Sequence, residues 1–330
     1  MFTRRTFLKG SLLSASAIAL PGMAKWETKA SLPFNVQEIY PAVHNGKIYV
    51  AGGLTVKGNK LDVYDDVVAY DPASDSWQES IALPEPRHHP YLVSHDGKLF
   101  AFSGFTVAEN GSWFGSRDLL VLDEENKRWR KYPNHMSYPL CETVAASING
   151  RIHLASGRRP KGMSNGNWND HVDASSHKVL DPSTMTWDCA HPIPTARNSA
   201  AGGYLNDLWH VIGGRTVEGG NLDTHEVYDY KEDKWHSLAP LPQAQGGLAA
   251  AVMGEHIYVF GGEYFTNGGG VYKKVWQYSP KEDKWQQIGE MPVPRHGLGA
   301  VTFNDSIYVV AGATQAGAKG TSNRLSVFKL

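Results

Sequence analysis

Two glutamates and a group of arginines, histidines and aromatics hold the chemistry this chain could perform. Glu263 directly follows Gly261-Gly262, and Glu218 lies three residues beyond Arg215, which itself follows Gly213-Gly214. A carboxyl near a guanidinium suits general acid–base work on a bound polar ligand. The carboxyl takes and returns a proton while the guanidinium grips an anionic group through forked hydrogen bonds. Arg87, Arg197 and Arg295 recur at equivalent places, with His88 and His296 directly behind two of them, and Arg158 and Arg159 follow Ser156-Gly157. Trp113, Trp168 and Tyr264 lie in the same kinds of segment and offer flat apolar faces.

Other chemistries find little support. The chain has two cysteines, Cys141 and Cys189, and neither belongs to a metal-ligand cluster. The histidines are scattered, with His88-His89 the only adjacent pair. Gly268-Gly269-Gly270 lacks the lysine that a phosphate loop would carry and reads as a loop tip. No nucleophile triad stands out, and no cofactor is expected. The formal net charge is −1, and a nucleic-acid partner, which usually meets a basic face, is not expected.

The elements that must position these residues repeat. Six glycine-pair positions occur at Gly52-Gly53, Ser103-Gly104, Ser156-Gly157, Gly213-Gly214, Gly261-Gly262 and Ala311-Gly312, each after a short apolar run such as Ile257 to Phe260. Their second members are 51, 53, 57, 48 and 50 residues apart. Downstream of the first five stand Trp77, Trp129, Trp187, Trp235 and Trp285. Six residues before each tryptophan is Asp71, Asp123, Asp181, Asp229 or Ser279. Leu83-Pro84, Ile193-Pro194, Leu241-Pro242 and Met291-Pro292 follow four of them six residues later. A strand, a turn and a strand opened by tryptophan are thus written repeatedly.

These residues resemble the kelch family across essentially the whole chain after residue 24. The resemblance implies an all-β, six-bladed kelch-type β-propeller with four strands per blade. The tryptophans read as packing between blades. The sixth tryptophan is Trp26, followed six residues on by Leu32-Pro33, and the chain stops after Leu325 to Leu330, which matches a third strand. The ring is therefore expected to be closed by the N-terminal strand. Asn45-Gly46, Asp96-Gly97 and Asn149-Gly150 read as two-residue hairpin turns on one face. The long loops 54–66, 105–117, 158–176, 215–225, 263–273 and 313–323 collect on the other face, where binding residues usually lie.

On such a ring Arg87, Arg197 and Arg295 fall at blade-to-blade joints. They either bond neighbouring carbonyls or ring an axial pocket together with Arg158 and Arg215. With Trp113, Trp168 and Tyr264 beside them, the second reading expects an acidic sugar as ligand; a protein partner on the long-loop face is the other expectation. The resemblance extends to kelch enzymes. Periplasmic sialic acid mutarotases (N-acetylneuraminate epimerases) imply a proton-moving glutamate just after a glycine pair, as Glu263 is, with an arginine following; Gly269 stands at that place here, and Arg215 and Glu218 share the fourth-blade loop in a different order, so the resemblance makes Glu263 and Glu218 the candidate catalytic residues. The copper-dependent galactose oxidases imply a copper site with two tyrosines and two histidines, one tyrosine cross-linked to cysteine. Cys141 and Cys189 are expected in separate strands of one blade, too far apart for a disulfide.

Residues 1–24 read as a twin-arginine export signal. Arg4-Arg5 precede Thr6-Phe7-Leu8-Lys9, an apolar run to Leu20, and Gly22-Met23-Ala24 as a cleavage site after Ala24. The expected location is the periplasm, with residues 25–330 as one propeller and no membrane segment once the signal is removed.

Overall fold

The computed structural model describes residues 24–58, 60–107 and 112–330. The expected signal, apart from Ala24, lies outside them. Among the described residues the chain is all-β, with only two single-turn 3₁₀ segments, Trp168–Asp170 and Thr266–Gly268. Six antiparallel sheets of four main strands follow one another. In chain order, the strand that opens each of the first five is Ala42–His44, Tyr91–His95, Val144–Ile148, Ala201–Leu205 and Gly246–Met253. The sixth sheet runs Gly299–Phe303, Ser306–Val310, Leu325–Lys329 and then Lys25–Lys29, with Trp26 opposite Phe328. The opening strands of consecutive sheets meet around a ring, the sixth against the first. The sheets are the blades of a propeller, numbered 1 to 6 in this order.

Side chains of a strand alternate between its two faces, and here both faces are covered by neighbouring blades. Ile48 and Val50 of blade 1 pack toward blade 6 with Val310 and Val327, while Tyr49 and Ala51 pack toward blade 2 with Leu99 and Ala101. Each of the six apolar clusters sits between two adjacent blades. The outer-strand tryptophans tie the same joints. Trp77, Trp129, Trp187, Trp235 and Trp285 each donate their indole N–H to a carbonyl of the preceding blade's connection, at Ala30, Ile81, Asn134, His191 and Ala239, over 2.8–2.9 Å.

The turns on one face follow their sequence. Asn45-Gly46, Asp96-Gly97 and Asn149-Gly150 all have positive φ at both residues, as a two-residue hairpin turn demands. Three loops on the other face contain paired strands. Leu54–Lys57 pairs with Lys60–Val63, Phe105–Val107 with Trp113–Gly115, and Arg158–Pro160 with His171–Asp173. These hairpins give the long-loop face firm walls. Cys141 is buried at a joint, Cys189 lies exposed in the outer strand of blade 3, and both are free.

Candidate functional site

The glycine pairs build the site floor. Gly261 has φ 64, and a Cβ there would lie 2.0 Å from the Arg295 carbonyl oxygen, so only glycine lets the next joint approach this closely. Fifteen residues ahead of each pair's second member is a second left-handed position: Glu38, His89, Glu142, Ser199, Gly247 and Gly297. Their backbones form a chain of hydrogen bonds around the axis. His89 N–H donates to Glu38 O at 3.0 Å, Ser199 to Glu142 at 3.1 Å, Gly247 to Ser199 at 3.0 Å, Gly297 to Gly247 at 3.0 Å and Glu38 to Gly297 at 2.7 Å. A left-handed glutamate or histidine costs about 1–2 kcal/mol relative to the ordinary conformation. Residues held in this way cluster at functional sites.

The side chains of this ring meet those that follow the glycine pairs. Glu142 accepts from Arg158 Nε at 3.0 Å and Nη2 at 2.7 Å, and from Ser199 Oγ at 2.6 Å. Glu38 lies 2.8 Å from His89 Nε2. Glu263 accepts from Arg215 Nη1 at 2.5 Å and from the Gly317 N–H at 2.7 Å, and His296 Nδ1 stands 3.4 Å from its Oε2. Burial alone would raise the Glu38 carboxyl, but His89, His296 and Arg215 outweigh it and bring it to about 2. Burial likewise opposes ionisation of Glu142, yet Arg158, His89 and Arg215 hold it well below the usual carboxylate range. The Arg215 guanidinium is raised: burial works against its charge, and Glu142, Glu263 and Glu38 overcome that effect.

Above this floor opens a cavity of 780 Å³ on the long-loop face. Of the sequence-derived candidates, Glu263, Arg158, Arg215, His88, Trp113, Trp168 and Tyr264 line it. Arg158 is fully engaged: its guanidinium lies 4.3 Å from the Trp168 ring centroid and 4.6 Å from that of Phe105. Arg215 keeps 13% of its side chain exposed and is the more open guanidinium. His88 stacks on Phe105, and burial, then His89, pushes its imidazole well below the ordinary range. His296 sits just beneath the floor, its Nε2 against the carbonyls of Gln315 at 2.9 Å and Gly317 at 3.0 Å.

Four candidates are placed elsewhere. Glu218 is at the tip of the turn closed by Gly219 N–H on Thr216 Oγ1, so its carboxyl faces water, 87% exposed, with Lys161 3.7 Å away. Arg87, Arg197 and Arg295 turn into the joints and do not ring the cavity. Arg87 donates to Ser103 O at 2.8 Å, Arg197 to Gly213 O at 2.8 Å and Arg295 to Ala311 O at 2.7 Å, each to the first residue of a glycine-pair position. Asp118 and Glu226 neutralise the first two. The carbonyl-bonding reading of these arginines therefore describes them. Sequence reasoning missed Gln37, Glu38, His89, Glu142 and Asn221, all of which line the cavity. Among the described residues, no group of three or more His, Cys, Asp or Glu is arranged to hold a metal ion.

Comparison with known proteins fits this architecture. Residues 162–330, just over half of the chain, match the KLHDC2/KLHL20/DRC7 Kelch-repeats domain, and residues 41–79 match the Kelch motif. The chain belongs to the kelch-repeat family. This kelch chain is 25% identical over 229 residues to Kelch-like protein terF of Aspergillus terreus, covering 64% of this chain and 48% of that protein. It is 31% identical over 134 residues to Kelch-like protein 40 of Xenopus tropicalis, covering 39% of this chain and 21% of that protein. The kelch chain thus spans about half or less of the length of these relatives. A solved structure titled "Structure of YjhT" shares the fold, with a TM-score of 0.76 and 19% identity over 91% of this chain and 96% of that one.

Proposed function

We propose that this kelch propeller is an exported binding module that takes a small hydroxyl-rich ring, a sugar or sugar acid, into its axial cavity. The observation that carries the reading is the floor itself, where Glu263–Arg215, Glu142–Arg158 and Glu38–His89 lie as pairs under walls bearing Trp113, Trp168 and Tyr264. Carboxylates with spare acceptor positions suit hydroxyl groups, and indole or phenol faces suit the apolar face of a sugar ring. Arg158 and Arg215 each already hold a carboxylate, so an acidic group reaches Arg215 in competition with Glu263. Hydroxyl recognition therefore carries more of this reading than anion recognition. The twin-arginine signal supports a bacterial periplasmic location. Among the described residues no helix is long and apolar enough to cross a membrane.

One observation favours a second reading. Glu263 is only 3% exposed and meets Arg215 in the cavity, which suits a general acid–base residue moving a proton as a sugar ring opens and closes. On this reading the protein is a cofactor-free isomerase of the sialic acid mutarotase type.

A thermal-shift screen with neutral sugars, uronic acids and sialic acid tests the binding reading. A ligand at 100 times its Kd stabilises the folded state by about 2.7 kcal/mol. A rise with at least one sugar, lost in Glu263→Gln, supports it, whereas no rise with any of them contradicts it and directs the search to a protein partner on this face. Anomer exchange followed by NMR tests the second reading. An exchange rate unchanged by the protein excludes it.

A further inference from the structure

The cavity wall is divided by chemistry. In blade order, the residues that follow the glycine-pair positions are Leu54, Phe105, Arg158, Arg215, Glu263 and Ala313. Arg158, Arg215 and Glu263 of blades 3 to 5 bring charge to the cavity and Leu54 of blade 1 brings hydrocarbon, while Phe105 and Ala313 are fully buried and do not line it. The hairpin of blade 1 extends the apolar side: Leu54 pairs with Val63 and Val56 with Leu61, so all four share one face. Val107 pairs with Trp113 on blade 2, and both line the cavity, as do Leu54, Leu61 and Val63. At the mouth, Leu61 is 51% exposed and Phe265, from blade 5, is 63% exposed. Both belong to the cavity lining.

A ligand that is hydroxyl-rich throughout would strand its polar groups against Leu61, Val63 and Val107 and leave the mouth's hydrocarbon uncovered. A cavity of 780 Å³ also lies within the roughly 300–1,000 Å³ typical of sites for drug-sized ligands. We infer that the ligand is two-ended, a sugar head on the charged floor carrying an apolar aryl or alkyl aglycone that lies against the hairpins of blades 1 and 2 and meets Phe265 of blade 5 at the mouth. This rests on the sugar-binding reading and narrows it to glycosides. A glycosidic bond blocks ring opening, so such a ligand is bound rather than isomerised.

Matched pairs test the inference by calorimetric titration: D-glucose with phenyl β-D-glucoside, D-galactose with phenyl β-D-galactoside, and D-glucuronic acid with phenyl β-D-glucuronide, with phenol as a control. In at least one pair the phenyl member binds about tenfold or more tighter than the free sugar, from the added apolar burial. In Leu61→Asp and Phe265→Asp, both at exposed positions that leave the blades intact, that ratio falls toward one. Equal affinities within every pair that binds overturn the inference and leave the sugar reading standing. A ratio unmoved by both variants also overturns it. Phenol binding as tightly as the phenyl glycosides, or no binding by any pair, overturns the sugar reading and the inference together.

Discussion

Glu263 and Arg215 occupy the same position in neighbouring blades, each directly after a glycine pair, and they meet across the joint with 2.5 Å between Oε1 and Nη1. The arginine that partners the glutamate therefore comes from the preceding blade, not from further along the same loop. This follows from the ring geometry: residues 48 apart in sequence become side-by-side neighbours around the axis.

Removing one member of this pair leaves a charge with little access to water. Arg215→Met is expected to cost about 3 kcal/mol of unfolding free energy, since a buried carboxylate is then unpaired. Glu263→Met in the same chain should recover most of that loss. Urea unfolding of the wild type, the single variant and the double variant measures both changes, and a double variant no more stable than Arg215→Met would show that the pair is not the cause.

The joint arginines are expected to act on stability and not on the ligand. Arg295 donates to Ala311 O and Arg324 O at 2.7 and 2.9 Å, with burial, then Arg324, drawing its guanidinium down to about 9. Arg295→Ala strands the Ala311 carbonyl, while Arg324 O keeps the Ala311 N–H at 2.8 Å, and should destabilise the protein by about 1–3 kcal/mol. Ligand affinity, measured by titration well below the lowered melting temperature, should stay within about twofold of wild type.

Much of this fold is legible in the sequence. The period, the six glycine-pair positions and the tryptophans all reported the blades, because each is needed once per blade. Glu263, Arg158 and Arg215 were legible because each directly follows a glycine-pair position, at the start of a long loop. Glu38, His89 and Glu142 were not, because no local motif surrounds them. Their signal was a fixed offset of fifteen residues before each pair, with Gly247 and Gly297 at the same place marking its left-handed backbone. Arg87, Arg197 and Arg295 stood open between a structural bond and a ligand site, because recurrence at three of the six joints fits both. The outward direction of Glu218 was not legible because a turn of only a few residues sets it, and sequence order does not report it.

Acid should destabilise the protein in two stages. His153 and His177 bond each other at 2.9 Å, as do His210 and His225, and burial lowers them to about 4, 3, 3 and 4. Unfolded histidines take up protons near the ordinary value of 6.5, while the folded ones resist. Stability is therefore complete above that value and falls as pH drops from about 6.5 toward 4–3. The depressed Glu38 adds a second loss as pH falls from about 4.5 toward 2. Urea unfolding between pH 7.5 and 4.5 should show the first stage, and His153→Phe with His177→Phe should flatten it; an unchanged slope would exclude these histidines as its source.

Residues 325–330 contain the third strand of blade 6, Leu325–Lys329, with Leu325, Val327 and Phe328 buried between Ser306–Val310 and Lys25–Lys29. Deleting them removes the pairing partner of both neighbours. The melting temperature should fall by more than about 10 °C, measured by circular dichroism. A truncated chain that melts as the full one does would mean that blade 6 does not depend on this strand.

The most direct test of the cavity as a sugar site is calorimetric titration of the same sugar panel into wild type and Glu263→Gln. This substitution keeps the shape of the side chain and removes its charge. At least one sugar should bind the wild type, and its Kd should rise tenfold or more in the variant, about 1.4 kcal/mol. Binding of equal strength in both proteins would contradict the assignment of the axial floor as the place where the ligand is held.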